Sequence, residues 1–172
     1  MKFTLRHPYH VGPETFWRDV FFDHAFNEAL YREALQFEAF KVLEETTPAD
    51  GRRTRRMAVT PKLDAPGPIK KVLGDSVSYI EEGRLDLARP SWIVKVLPST
   101  MADKTRVTSE MWLERTGAGQ SDRVAEFDIE VKMFAIGGLF EKFLEKTMRD
   151  SYQKATDFTN KWLREKGLAG KD

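Results

Sequence analysis

Residues 134–146 read FAIGGLFEKFLEK, a Gly-Gly pair followed by apolar residues that recur with a period of 3.6. From that point Leu139, Phe140, Phe143, Leu144, Met148, Ser151, Tyr152, Ala155, Phe158, Trp162 and Leu163 fall on one broad stripe. Lys142, Glu145, Lys146, Arg149, Lys154 and Lys161 mostly avoid it. A helix of about eight turns with one apolar side has to cover something. Gly137 and Gly138 are expected to allow a sharp turn with unusual dihedrals and a close backbone approach to whatever lies beneath. They are not expected to cradle phosphate, because no Gly-rich fingerprint precedes them and Lys142 is not followed by Ser or Thr.

What lies beneath can be read by moving toward the amino terminus, where the period changes to two. Strand-length runs are expected at 37–46, 53–60, 77–86, 92–97, 105–115 and 123–133, divided by Gly- and Pro-rich turns. Ala125, Phe127, Ile129 and Val131 share one face, and Glu126, Asp128 and Glu130 the other. Val107, Met111 and Leu113 repeat the pattern, so one side of the sheet is apolar and the other wet.

The first residues alternate Phe3 and Leu5 against Thr4 and Arg6, a short strand expected to stop at Pro8. Gly12, Pro13 and Glu14 then open a helix with Phe16, Trp17, Val20 and Phe21 at helical spacing. Asp23 is placed to cap a second short helix over 25–33. PGPIKKVLG, residues 66–74, fits one helical turn between the third and fourth strands.

The expected order is strand, two short helices, six strands and one long carboxy-terminal helix, which is the one element long enough to cover the apolar side of the sheet. This order resembles the START-like (SRPBCC) superfamily, the helix-grip proteins that include birch-pollen-allergen-like members. KMFAIGGLFEKFLEK and PGPIKKVLG are similar to a bacterial branch of it. The resemblance implies an α+β fold, a curved antiparallel sheet of about seven strands around the long helix. It also implies a cavity between sheet and helix for a hydrophobic small molecule such as a lipid.

The chain has 172 residues, 41% hydrophobic and 32% charged, which fits a single domain over 1–172. No apolar run approaches the roughly 20 residues of a transmembrane helix, and MKFTLRHPYH has no signal-peptide core, so a cytoplasmic address is expected. Without cysteine there is no disulfide or thiolate chemistry. A net charge of +1 lacks the basic bias of many nucleic-acid binders, and no nucleic-acid partner is expected. GRRTRR, residues 51–56, would suit phosphate or an anionic membrane surface in a transient contact, but strand geometry splits its arginines between two faces.

Tyr79, Met111, Phe127, Ile129, Phe140, Phe143, Leu144, Met148 and Tyr152 are the candidate cavity lining. Any of them would equally serve in a packed core. Arg55, Glu81 and Glu141 are candidate polar anchors. Glu141 has a sufficient structural reason in the first turn of the helix, where a carboxylate favours exposed amides. By strict alternation Arg55 and Glu81 face inward and would pair or orient a ligand's polar group; a bulge at Gly83 would instead turn Glu81 outward, and that is the stronger expectation. Trp92 is expected either to guard an entrance or, more commonly for tryptophan, to anchor the core.

His7, His10 and His24 are not spaced to force a metal site, no serine stands in a nucleophile motif, and no cofactor is implied. Noncatalytic binding of a hydrophobic molecule is the leading expectation. The alternatives are a cyclase, dehydratase or hydrolase using Glu81, Arg55 or Tyr79, and a protein-interaction module with a filled core.

Overall fold

The computed structural model describes residues 1–74 and 77–172. Strand β1, Lys2–Tyr9, leads into helix α1, Pro13–Thr15, which continues as a π-helical stretch Phe16–Val20. Helix α2, His24–Ala29, likewise runs on as a π-helical stretch Leu30–Ala34. Six strands and a short helix follow: β2 Ala39–Thr46, β3 Thr54–Thr60, α3 Gly67–Leu73, β4 Tyr79–Asp86, β5 Ser91–Pro98, β6 Thr105–Gly117 and β7 Gln120–Val131. Helix α4, Gly137–Glu165, ends the series with 29 residues, about 43 Å of helix.

The strands form one curved antiparallel sheet in the order β1-β7-β6-β5-β4-β3-β2, and α4 covers it, which is the helix-grip arrangement. The first strand of the chain, β1, and the second, β2, are therefore its two edges. Pro8 does not stop β1, which continues to Tyr9 in register with Ser121. Proline lacks a donor, and an edge strand can spare one. The alternation expected for β6 and β7 holds: Val107, Met111, Ala125, Phe127, Ile129 and Val131 are buried under α4. On the far face Arg106 pairs with Asp128 at 3.0 Å, and Arg6 with Glu114 at 2.7 Å and Asp122 at 3.0 Å. Each of these exposed pairs contributes little, but together they keep that face in water.

Two expectations at the start of α4 need correction. Gly137 and Gly138 do not take unusual dihedrals; the positive φ, 64°, belongs to Ala135 just before them. Gly137 instead allows close approach, since a Cβ there would stand 2.6 Å from the Val131 carbonyl. Leu139 is 44% exposed rather than part of the covered stripe, and Phe134 in the turn before the helix is 100% exposed. Phe140, Ile69 and Leu73 with Val107, Ile129 and Val131 form one apolar cluster that seats α3 against the beginning of α4.

Candidate functional site

Strand β3 alternates Arg55, Met57 and Val59 inward, which buries a guanidinium beside two apolar residues. Arg55 is 4% exposed. Its guanidinium lies 5.0 Å from the Phe21 ring, 5.4 Å from Trp92 and 5.7 Å from Phe22, an aromatic surround that partly replaces lost hydration. One terminal nitrogen donates to the Phe21 carbonyl at 3.3 Å, while Nε has no partner. That same carbonyl accepts from Asn27 Nδ2 at 3.0 Å. Asp23 caps α2 by accepting from the Phe26 amide at 2.6 Å, as its position in the sequence suggests. The junction between α1 and α2 is thereby fixed over Arg55.

Glu81 faces inward. The bulge expected at residues 81–83 is absent: β4 keeps continuous register with β3 and β5, and Gly83 has another task. A Cβ on Gly83 would stand within 2.7 Å of the Trp92 indole nitrogen, so Gly83 is where the indole lies. Trp92 is accordingly a buried core anchor rather than an entrance guard, edge-on to Phe21 and Phe22 with centroids 5.2 and 5.4 Å away. Desolvation raises the Glu81 carboxyl above its ordinary value of 4.5, opposed by the charge of Arg55 and by hydrogen bonding from Tyr31 and Tyr79. Arg55 and Glu81 feel each other's charge without forming an ion pair among the described residues.

Burial likewise pushes the phenols of Tyr31 and Tyr79 well above the usual tyrosine value, with Glu81 adding to the effect. Tyr152 on α4 is pushed up to about 12, first by burial. All four side chains keep some surface within reach of a water-sized molecule.

A cavity of about 480 Å³ opens beside this group, between α2 and strands β2 and β3. Its apolar lining is Phe22, Ala25, Phe40 and Val42; Arg55 and Glu45 are polar members, and His24, Asn27, Glu28 and Lys41 complete the wall. Tyr31 stacks on Phe40 at 4.3 Å, which joins the cavity wall to the Tyr31–Glu81–Tyr79 group. Of the candidate residues from the sequence, Arg55 lies in this wall, while Tyr79 and Glu81 stand behind it.

The other candidates lie on β6, β7 and α4. Met111, Phe127, Ile129 and Phe140 are buried in packed contact, Phe127 stacking with Phe3 at 4.9 Å and meeting Tyr152 edge-on at 5.2 Å. Phe143, Leu144 and Met148 are half-buried against the clusters. Glu141 turns away from the interior: it accepts from the Val131 amide at 3.0 Å and lies 3.7 Å from the terminal ammonium of Met1.

Two members escaped the sequence reading. Tyr31 is joined to Glu81 by tertiary packing alone. Arg123, buried between the rings of Tyr9 and Tyr152 at 5.1 and 4.1 Å, stands on the same parity as Ala125 and Phe127, a signal that was available. It donates to the Tyr152 carbonyl at 3.1 Å. Neighbouring His7 is held below its ordinary value by burial and then by Arg123. Among the described residues no three His, Asp or Glu side chains are grouped to hold a metal ion.

Several solved structures share this architecture. A START superfamily protein from Mycobacterium smegmatis is 16% identical with a TM-score of 0.61, over 94% of this chain and 98% of that one. The Zhui aromatase/cyclase from Streptomyces sp. R1128 is 13% identical with a TM-score of 0.61, over 95% and 93%. A protein from Thermus thermophilus is 15% identical with a TM-score of 0.63, over 94% and 95%. At these identities the likeness is one of fold, and it places the chain's architecture with the START-like proteins. No curated protein matches the sequence. Residues 4–163 match a family model described as "Protein of unknown function (DUF2505)".

Proposed function

We propose that this chain, which belongs to the DUF2505 family, binds or carries a hydrophobic small molecule, foremost a lipid, without transforming it. The observation that carries this reading is the cavity of about 480 Å³, apolar in most of its wall and floored by a buried guanidinium. Its size falls in the range of small-molecule sites, and a few polar groups in an apolar wall are what fix a ligand's orientation. Tyr79, Met148 and Tyr152, each partly buried, are proposed to extend the site from α2 toward α4. Met111, Phe127, Ile129, Phe140, Phe143 and Leu144 would form its packed backing.

Exchange with a membrane is proposed at the end of the molecule where Phe134, Leu139 and Val72 are exposed. Lys71, Lys132 and Lys142 stand in the same segments, and the Lys132 amide bonds the Lys104 carbonyl at 2.8 Å, bringing a further lysine alongside. Exposed apolar groups among lysines suit a transient contact with anionic lipid. No described helix is long and apolar enough to cross a bilayer, and the proposed setting is the cytoplasm.

One observation favours a second reading. Glu81, with its carboxyl raised and two phenols and a guanidinium nearby, has the surroundings of a general acid, with Arg55 or Tyr79 orienting a carbonyl. That would make the protein a cyclase, dehydratase or hydrolase on the same fold.

The deciding experiment is to purify the protein without detergent, extract it with organic solvent and analyse the extract by mass spectrometry beside a control protein. A stoichiometric amphiphile recovered unchanged supports the carrier. An empty extract, together with no uptake of added lipid, would overturn it.

A further inference from the structure

From a bulge in β2 we infer that the cavity takes an amphiphile whose head carries an anionic oxygen group beside a hydrogen-bond donor, as a 2-hydroxy acid does. This inference rests on the carrier reading and specifies the head group.

Strand β2 pairs Val42 with Met57 and then, after an irregularity at Leu43, Glu44 with Arg56 and Glu45 with Arg55. The extra residue resets the alternation, so Val42 and Glu45, three apart, both lie opposite inward residues of β3. Without it Glu44 would take the inward place. Leu43, the displaced residue, is exposed. The bulge thus delivers a carboxylate to the cavity wall directly across from Arg55.

Opposite charges facing each other on adjacent strands ordinarily pair. Here they do not: among the described residues Arg55 and Glu45 form no ion pair, and each holds a buried atom without a hydrogen bond, Nε on Arg55 and Oε2 on Glu45. The nearby Glu81 carboxyl is engaged by Tyr31 and Tyr79. The cavity wall therefore holds, at facing ladder positions, one unmet donor and one unmet acceptor. An anionic oxygen answers the guanidinium, and an adjacent hydroxyl or ammonium answers Glu45. A plain carboxylate would press its charge on Glu45, and a plain diol would leave Arg55 without an anion. Phe22, Ala25, Phe40 and Val42 are left for the apolar tail.

The test titrates the full chain near neutral pH with decanoic acid, 1,2-decanediol and 2-hydroxydecanoic acid in a calorimeter. The hydroxy acid is expected to bind about tenfold tighter than either comparator. Glu45→Ala should reduce its affinity to that of decanoic acid, and Arg55→Met to that of the diol. Should Arg55→Met fail to fold, the wild-type series and Glu45→Ala still decide. Equal binding of all three, or a preference that survives Glu45→Ala, overturns the head-group inference and leaves the carrier reading standing. If none of the three binds, the head-group inference falls, and the solvent extract and lipid uptake decide the carrier reading.

Discussion

The indole of Trp92 lies across Gly83 on the neighbouring strand, so closely that a Cβ on Gly83 would stand within 2.7 Å of Trp92 Nε1. Since Phe21, Phe22 and Arg55 all pack on that indole, the contact sets the floor of the cavity. Gly83→Ala is expected to lower stability by about 1–3 kcal/mol through overpacking, measured by urea denaturation. Gly138→Ala is the control: nothing lies within 4 Å of its Cβ, and in a helix the change should stabilise by about 0.5–1 kcal/mol.

The buried Glu81 gives stability a predictable pH dependence. Its folded carboxyl is raised above the ordinary value of 4.5, so between these two values the folded state binds more protons than the unfolded chain. Stability from this group is therefore complete below about 4.5 and is lost as pH climbs through the folded value. Glu81→Gln, neutral at every pH, should flatten that decline. Melting temperatures from pH 4 to 8 should show the variant gaining on the wild type as pH rises, and a constant gap would sink the assignment.

Filling the cavity separates a binding site from an incidental void. Val42→Trp places a large ring in the wall on an edge strand, where aromatic residues are well tolerated. Lipid uptake should be lost while the melting temperature stays close to that of the wild type. Unimpaired uptake would mean that the ligand sits elsewhere, along Tyr79 and Tyr152.

Phe134 is fully exposed on a tight turn whose hydrogen bonds, Ile136 to Phe134 at 2.9 Å and Gly137 to Met133 at 3.0 Å, do not involve its ring. Phe134→Ser should leave stability unchanged within about 0.5 kcal/mol and reduce sedimentation with vesicles containing anionic lipid. Equal sedimentation of the two proteins would remove this end from the exchange route.

The fold was legible because two periodicities state it independently. The stripe from Phe140 to Leu163 calls for a surface to cover, and the alternation from Ala125 to Val131 supplies one. The site was legible only where alternation is unbroken, as at Arg55. Glycine inside a strand signals either a bulge or a close approach, and at Gly83 the sequence alone does not choose between them. The bulge that does occur, at Leu43, has no glycine to mark it. Tyr31, in the π-helical stretch after α2, stacks on Phe40 of β2 and meets Glu81 of β4, a tertiary approach that no local pattern carries.

The cavity's outer wall is made from the parts of the chain that are easiest to move. Strand β2 is bonded to a single neighbour, and its ladder is already interrupted at Leu43. Facing it, α2 is a six-residue helix that runs directly into a π-helical stretch. A ligand entering here breaks far fewer backbone hydrogen bonds than one passing between paired strands. Amide hydrogen exchange should therefore be fastest in α2 and β2, slow in β6 and β7, and slowed selectively at the former pair once the cavity is occupied.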